Sequence, residues 1–464
     1  MIRLFRVFVP ASVVFLLISE AVLIFLCYCA ASLFAVEGDP WLFLIYEYGL
    51  AQVALVVVCV MIGIYFHDLY WHFKIKSRTL LVSQICLVLG IAFLLEALLD
   101  YLKLSHLILP KLMMIWGSAF VFVFLPAWRI FYEKFVSPAV GSHKILFLGT
   151  SPVAQEIAAQ AQEQPHLGIV TLGYLDSALP VGSEVPGGTV LGSIADLRAI
   201  VAELKPDRIV VGMSERRERL PVEELLDLRF SGIHIEDAQT TYESAFGRIC
   251  TRELRPSQLI FSRDLGPSRK SVVWQSVYSF MLGLVGTIVA APAMLLVAVL
   301  LKMTSRGPML YRQRRVGRDG AVFMVNKFRS MYVDAEARTG AVWASKDDPR
   351  ITPLGKWLRK LRLDELPQLF NVLRGEMAIV GPRPERPEFV NTLAEKIPYY
   401  RQRLCVKPGI TGWAQINHKY GDTLEDTIVK LEYDLYYIKN LAFSLDAYIM
   451  FQTIKVMLLQ RGAQ

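Results

Sequence analysis

Residues 271–301 read SVVWQSVYSFMLGLVGTIVAAPAMLLVAVLL, an apolar run without one charged side chain. A helix of that length is more than enough to cross the ~30 Å hydrocarbon core of a bilayer. Its flanks forbid the simple reading. Arg263, Arg269 and Lys270 precede it, and Lys302, Arg306, Arg312, Arg314 and Arg315 follow. Basic flanks stay on the cytoplasmic side, and a straight span can leave only one of its two ends there. Pro292, inside Ala290-Ala-Pro-Ala293, offers a way out. An interior proline removes a backbone hydrogen bond and clashes with the preceding turn, at about 3 kcal/mol unless the helix kinks. The pattern predicts a helix, a break and a helix over about 272–301, entering one leaflet and returning. An ordinary kinked spanning helix is the alternative.

Upstream, the composition is that of a membrane protein with substantial soluble parts: 54% hydrophobic against 20% charged residues in 464. Four apolar segments, about 13–36, 43–66, 80–99 and 107–128, suit spanning helices. Arg3 and Arg6, then Lys74, Lys76 and Arg78, then Arg129 and Lys134 put the positive loops on one side, the cytoplasm. Glu20 and Glu96 lie within spans; a transport path or a polar neighbour would each explain them. The first apolar run is too long for a signal-peptide core and ends without a small-residue cleavage pattern, so it is expected to remain. The formal charge of +8 clusters beside apolar segments, favouring anionic lipid or phosphate ligands and excluding a nucleic-acid partner. The six cysteines show neither metal spacing nor a disulfide framework.

Between residues 142 and 262 short β-rich runs (144–149, 169–175, 208–212, 233–236) alternate with helical patterns (154–164, 194–204, 222–230). This predicts a parallel, Rossmann-like sheet. Its first turn, Gly149-Thr-Ser-Pro-Val-Ala154, keeps only the first glycine of a dinucleotide fingerprint, although Asp176 stands where a ribose would be met.

Downstream, residues 353–363 place Leu354, Trp357, Leu358 and Leu361 on one helical face and Lys356, Arg359, Lys360 and Arg362 on the other, as in an interfacial helix. Where it ends, LRLDELPQLFNVL (361–373) sets Asp364 beside Glu365. Pro367 fits the first turn of a new helix, whose positive end would keep both acids ionised. An ionised Asp in a partly dry site can attack phosphorus, and an adjacent Glu can hold Mg²⁺ on the phosphate oxygens. Cations for those phosphates are at hand in Lys327, Arg329, Arg359 and Arg383, the last braced between two prolines.

These motifs in order, Tyr311-Arg-Gln-Arg-Arg-Val-Gly317, Lys327-Phe-Arg-Ser-Met331, Asp348-Pro-Arg-Ile-Thr352, Leu363-Asp-Glu-Leu-Pro-Gln-Leu369, Val380-Gly-Pro-Arg-Pro384 and Lys407-Pro-Gly-Ile-Thr-Gly-Trp413, resemble the bacterial polyprenyl-phosphate sugar-1-phosphate transferases, or monotopic phosphoglycosyl transferases. The resemblance covers about 271–464 closely; the earlier part is similar to the family's long form. It implies three parts: four transmembrane helices (1–141), a Rossmann-like cytoplasmic domain (142–262) and an α-rich monotopic catalytic domain with the re-entrant helix (263–464). It also implies a ping-pong reaction at the bacterial inner membrane in which Asp364 attacks the β-phosphorus of a UDP-sugar and expels UMP. Glu365 would bind Mg²⁺, undecaprenyl phosphate would take the sugar phosphate, and Lys327, Arg359 and Arg383 would handle phosphates. Pro292 matches the break of the re-entrant helix, and a homo-oligomer is compatible. Where many members continue with Gly-Arg, this chain has His418-Lys419, so Lys419 would bring a point charge to the donor in place of a fork. Three rivals stand beside this reading, one of them a conventional glycosyltransferase, which would leave UDP in place of UMP. A membrane-anchored nucleotide-sugar dehydratase or epimerase needs the intact glycine fingerprint and a Tyr-x-x-x-Lys pair in the soluble part, and a non-catalytic scaffold leaves the acid pair unexplained.

Overall fold

The structure, a computed structural model, describes residues 2–70, 77–137, 142–164, 167–213, 220–253, 266–332, 348–418, 421 and 423–459. Two compact units emerge: Met1–Arg3 with Phe8–Ala238, and Leu4–Val7 with Gln239–Gln464.

The first unit begins with four long helices, α1 (Ala11–Ala35), α2 (Gly49–Phe66), α3 (Arg78–Tyr101) and α4 (Lys111–Phe131), the last continuing as a π turn to Val136. All four are long and apolar enough to cross a membrane, and the chain is a membrane protein. In α1, Leu16, Glu20, Ile24, Tyr28 and Ala31 are buried while Leu26 and Phe34 face outward, the one-sided burial of a helix with lipid on its other face. The apolar run expected to span from residue 43 is two helices. A short one, Pro40–Tyr46, is capped by Asp39, and Tyr48 then takes a left-handed φ of 63° before α2. Gly49 is required there, because a Cβ would come within 2.7 Å of the Phe43 ring. The fourth span starts at Lys111, after Pro110, rather than near residue 107. Glu20 and Glu96 have structural partners. Arg129 pairs with Glu20 at 2.6 Å, Tyr70 donates to the same carboxylate, and Glu96 accepts from the Leu109 amide. No transport path is needed to account for them.

The same unit carries a six-stranded sheet of β1 (His143–Leu148), β2 (Ile169–Leu175), β3 (Glu184–Val185), β4 (Gly188–Gly192), β5 (Arg208–Val211) and β6 (His234–Asp237), in the order β3-β4-β2-β1-β5-β6. All neighbours are parallel except the β3–β4 hairpin. Helices α5 (Pro152–Glu163), α6 (Leu197–Leu204) and α7 (Val222–Phe230) connect them, close to the expected limits. The unexpected hairpin is made of two short strands around Pro186-Gly187, too brief to show periodicity. Asp176, in the place of a ribose ligand, is turned onto its own fold: Oδ2 accepts from the amide and hydroxyl of Thr150 (3.0 and 2.6 Å), Oδ1 from the Ala178 amide.

The second unit is built along one helix, α8 (Arg269–Thr304). The expected break is not there, since the helix runs through Pro292, whose ring lies on the exposed face. A proline can stay inside a helix when neighbouring packing holds the turns on either side, and α8 is held along its whole length. Val272, Gln275, Ser279, Gly283, Met294, Val297 and Leu301 form one buried stripe. Its first half meets Val380, Tyr437 and Asp446, its middle Val372 and its last part Phe328 and Leu358. The other face, with Trp274, Val285, Ile288, Val289, Leu295 and Leu296, is exposed and apolar. Against the stripe pack the hairpin β7 (Leu310–Val316) and β8 (Val322–Phe328), helices α9 (Pro353–Lys360) and α10 (Gln368–Leu373), the parallel pair β9 (Ala378–Val380) and β10 (Gly409–Thr411), and helices α11 (Leu424–Lys439) and α12 (Phe443–Leu458).

The sequence places the start of this unit at residue 263, whereas residues 239–253 already belong to it. Glu432, fully buried in α11, holds them: Tyr242 donates to it, Thr251 donates through amide and hydroxyl, and Arg248 lies 3.6 Å away.

Candidate active site

Strand alternation fixes the first cation. Phe328 points into the core beside Met294 and Leu301, so Lys327, its neighbour, points the other way. The next elements are set by Asp348-Pro-Arg-Ile-Thr352. Asp348 binds Arg350, and Thr352 caps α9 by accepting from the Gly355 amide while donating to Ser330 O. Leu354 and Leu358 pack on the α8 stripe, leaving Trp357 and Leu361 exposed, with the Lys360 ammonium 5.7 Å from the Trp357 ring. The amphipathic face is thus divided: half is core, half is free for an interface. Arg362, at φ 54°, ends α9 and starts a 3₁₀ turn, Leu363–Glu365. Asn371 in α10 ties this turn to the hairpin, accepting from the amide and side chain of Asn326 and donating to Met324 O.

The loop that presents Arg383 follows β9. A Cβ on Gly409 would lie 2.1 Å from the Gly381 nitrogen, so glycines let the two backbones touch where two sequence motifs meet.

Glu365 receives two cations on Oε1, Lys327 Nζ at 2.9 Å and Arg383 Nη2 at 3.3 Å. The two acids are driven apart. For Asp364, burial and then the Glu365 charge raise the pKa, against Lys327, Arg359 and Arg383, from the ordinary 3.8 to about 6. Burial would raise Glu365 too, but Lys327, Arg383 and Arg362 hold it well below the usual carboxylate range. Such a split gives neighbouring carboxylates different work: Asp364 is the more basic, hence the stronger nucleophile, and Glu365 a fixed negative charge. Side-chain cations set it rather than the helix end expected at Pro367, since α10 has only six residues.

Of the expected phosphate ligands, Lys327 and Arg383 converge on the pair, and Arg359 acts on Asp364 while its Nε donates to the Ser330 hydroxyl at 3.0 Å. Arg329 is a correction. It is buried and donates to Ser305 O, Ser305 Oγ and Arg306 O, anchoring the end of α8 instead of facing the acids, because it lies past Phe328, where β8 ends and the pleat no longer fixes its side. Lys419 lies outside the described residues. Sequence reasoning missed Gln275, Asn371 and Arg403. Gln275 alone left a signal, as a polar residue in phase with Ser279 and Gly283. Asp434 and Asp446 bind Arg403 and the group Tyr278, Tyr437 and Gln275, which is structural hydrogen bonding.

No three His, Cys, Asp or Glu side chains group as a metal site among the described residues. Asp364 and Glu365 still fit Mg²⁺ of the kind held by one or two carboxylates and completed by water and substrate phosphate. Lys327 and Arg383 both donate to Glu365 Oε1.

Residues 270–460 match the sequence model of a family described as Bacterial sugar transferase. The chain is 34% identical over 331 residues to the UDP-glucose:undecaprenyl-phosphate glucose-1-phosphate transferase of Klebsiella pneumoniae, covering 70% of this chain and 68% of that one. The chain belongs to the bacterial sugar transferase family. Among other members, the UDP-N-acetylgalactosamine-undecaprenyl-phosphate N-acetylgalactosaminephosphotransferase of Aeromonas hydrophila is 38% identical over 273 residues, 57% of this chain and 60% of the relative. The undecaprenyl-phosphate glucose phosphotransferase of Komagataeibacter xylinus is 47% identical over 178 residues, 37% of this chain and 34% of the relative. The match to the sugar transferase model takes in every element just described around the acid pair, from α8 to α12.

Proposed function

We propose that the chain transfers a sugar 1-phosphate from a UDP-sugar to undecaprenyl phosphate, giving undecaprenyl-diphosphate sugar and UMP, as the first membrane step of exopolysaccharide assembly. The observation that carries the reading is the buried acid pair with opposed pKa shifts under Lys327 and Arg383. A carboxylate oxygen of Asp364 bonds to the β-phosphorus as the bond from that phosphorus to the UMP oxygen breaks. An oxygen of the lipid phosphate then attacks the same phosphorus, and the Asp364 carboxylate leaves. Lys327, Arg359 and Arg383 offset the charge that builds on the phosphoryl oxygens. Mg²⁺ held by Glu365 would supply further charge neutralisation on the donor phosphates.

The re-entrant reading of α8 is supported by its stripe. Both ends rest on one compact unit, which a straight crossing would have to divide between two sides of the bilayer. Pro292 weakens the outer side of the helix, so the bend it favours is toward that unit. The basic flanks support an inner-membrane protein with its catalytic part on the cytoplasmic side. The parallel sheet of the first unit supports a Rossmann-like middle domain.

The test is nucleotide release by the detergent-purified chain with Mg²⁺, undecaprenyl phosphate and a panel of UDP-hexoses and UDP-N-acetylhexosamines. UMP released in a lipid-dependent way from one donor, and abolished in Asp364→Asn, is the expected result. UDP as product, or release that survives the substitution, overturns the proposal.

A further inference from the structure

The Arg383 loop is held almost entirely through its carbonyls, because Pro382 and Pro384 bring no N–H to it. Val380 O accepts from Gln275 Nε2 and Tyr437 OH, both at 3.1 Å, and Pro382 O from the Gly409 amide at 3.0 Å. Two guanidinium groups take the next pair of carbonyls: Arg403 donates to Arg383 O at 3.0 Å and Arg315 to Pro384 O at 2.9 Å.

We infer that Arg315 and Arg403 are positioning residues that grip the main chain on consecutive carbonyls and so fix where the Arg383 guanidinium stands over Glu365. Each is itself oriented. Arg315 Nε and Nη2 both donate to Gln313 Oε1, at 3.1 and 2.7 Å, and Nη1 lies 3.4 Å from Glu385 Oε2. Arg403 is buried with Asp434, donating to its Oδ2 at 2.9 Å, and reaches Tyr400 OH at 3.1 Å. A fork that binds an acceptor with one edge and a carbonyl with another sets an angle as well as a distance, which a lysine does less well. The Gln313–Arg315 rungs also give the Tyr311-to-Gly317 motif a use beyond pairing Tyr311 with Lys327: it reaches the acid pair through the Arg383 loop.

The inference rests on the reading of Asp364 and Glu365 as the reacting pair, and a double-mutant cycle separates the two. Wild type, Arg315→Ala, Arg383→Ala and the double variant are compared for kcat and for KM of donor and lipid, in the full chain. Arg315→Ala is expected to lower kcat about tenfold or more with KM for undecaprenyl phosphate unchanged, and Arg315→Lys to recover part of it. Added to Arg383→Ala, Arg315→Ala is expected to cost less than about a further twofold, since residues that act as a unit are not additive. Arg314→Ala, on the opposite face of β7, should match wild type. Multiplicative losses, Arg315→Ala within about twofold of wild type, or an equal loss in Arg314→Ala would overturn the inference. UDP in place of UMP would overturn the reaction while the cycle remains readable. The same four chains titrated calorimetrically with UMP and Mg²⁺ report the cycle without turnover. Arg315→Ala must weaken binding there, and must not weaken it further when Arg383 is already gone.

Discussion

Asp364 pays for its basicity with burial, and that has two measurable consequences. Its folded pKa of about 6 lies above the ordinary 3.8, so the folded chain binds the proton more tightly than the unfolded one. Stability is therefore lost as pH rises from about 4 to about 6, and the loss is complete above the folded value. Asp364→Asn removes the penalty: thermal melts should show the variant more stable than wild type at pH 7.5, with the gain shrinking toward pH 4. Glu365, shifted the other way, contributes stability present above its ordinary value of 4.5 and lost as pH falls. Turnover runs opposite to the Asp364 melts. The nucleophile must be ionised, so kcat/KM for the donor should fall about tenfold per pH unit below pH 6, and Asp364→Asn should cost at least about a thousandfold. At this scale the sequence was legible where chemistry demands an unusual neighbour. Two adjacent acids after a basic helix, and an arginine between prolines, stand out in the bare string of residues. Arg329 does not: it sits in the same short motif as Lys327, and only the end of β8 at Phe328 frees it to turn to the carbonyls of Ser305 and Arg306 just past α8.

Helix α8 is the element on which the site depends. A Cβ at Gly283 would meet Val372 at 2.9 Å, whereas one at Gly286 would touch Leu369 at an ordinary 3.5 Å. Gly283→Val should push α8 off α10, the helix that follows the acid pair, costing about 1–3 kcal/mol and most of the turnover. Gly286→Ala should keep both, as melting temperature and UMP release will show. Cysteines placed singly at Ser268 and Ser305, at the two ends of α8, test its path. Labelling of both by an impermeant thiol reagent in inside-out vesicles, and of neither in right-side-out ones, is the outcome for a helix that returns. Periodicity made α8 visible in the sequence as apolar and too basic at both ends. It did not show that the helix continues through Pro292, because that depends on partners contributed from residues 328 to 446.

At the scale of the whole molecule, the compact units cut the chain before residue 239 rather than at 263. Of two shortened versions, one beginning at residue 239 keeps the partners of Glu432 and should be the more stable, whereas one beginning at 263 leaves Glu432 without Tyr242, Arg248 and Thr251. An unpaired buried charge costs about 3 kcal/mol or more, and expression and melting of the two versions compare them directly. The division could not be read from sequence. Residues 239–253 carry no hydrophobic pattern tying them to either side, and their partner, one glutamate in a helix of mixed residues, lies far along the chain. Alternation of strands and helices, by contrast, placed four of the six strands and the helices between them within a few residues, since those declare themselves locally, whereas the short β3–β4 hairpin does not.

The ion pair between Glu20 and Arg129 has a bearing on how the protein is made. The two residues are 109 positions apart. When α1 first meets the bilayer, its carboxylate has no partner, and a lone acid at membrane depth costs about 3 kcal/mol on insertion scales. The ribosome must deliver three more helices before the guanidinium exists. Versions of the chain that end before residue 129 should therefore hold α1 in the membrane less well than versions that include it, as carbonate extraction of the two will show.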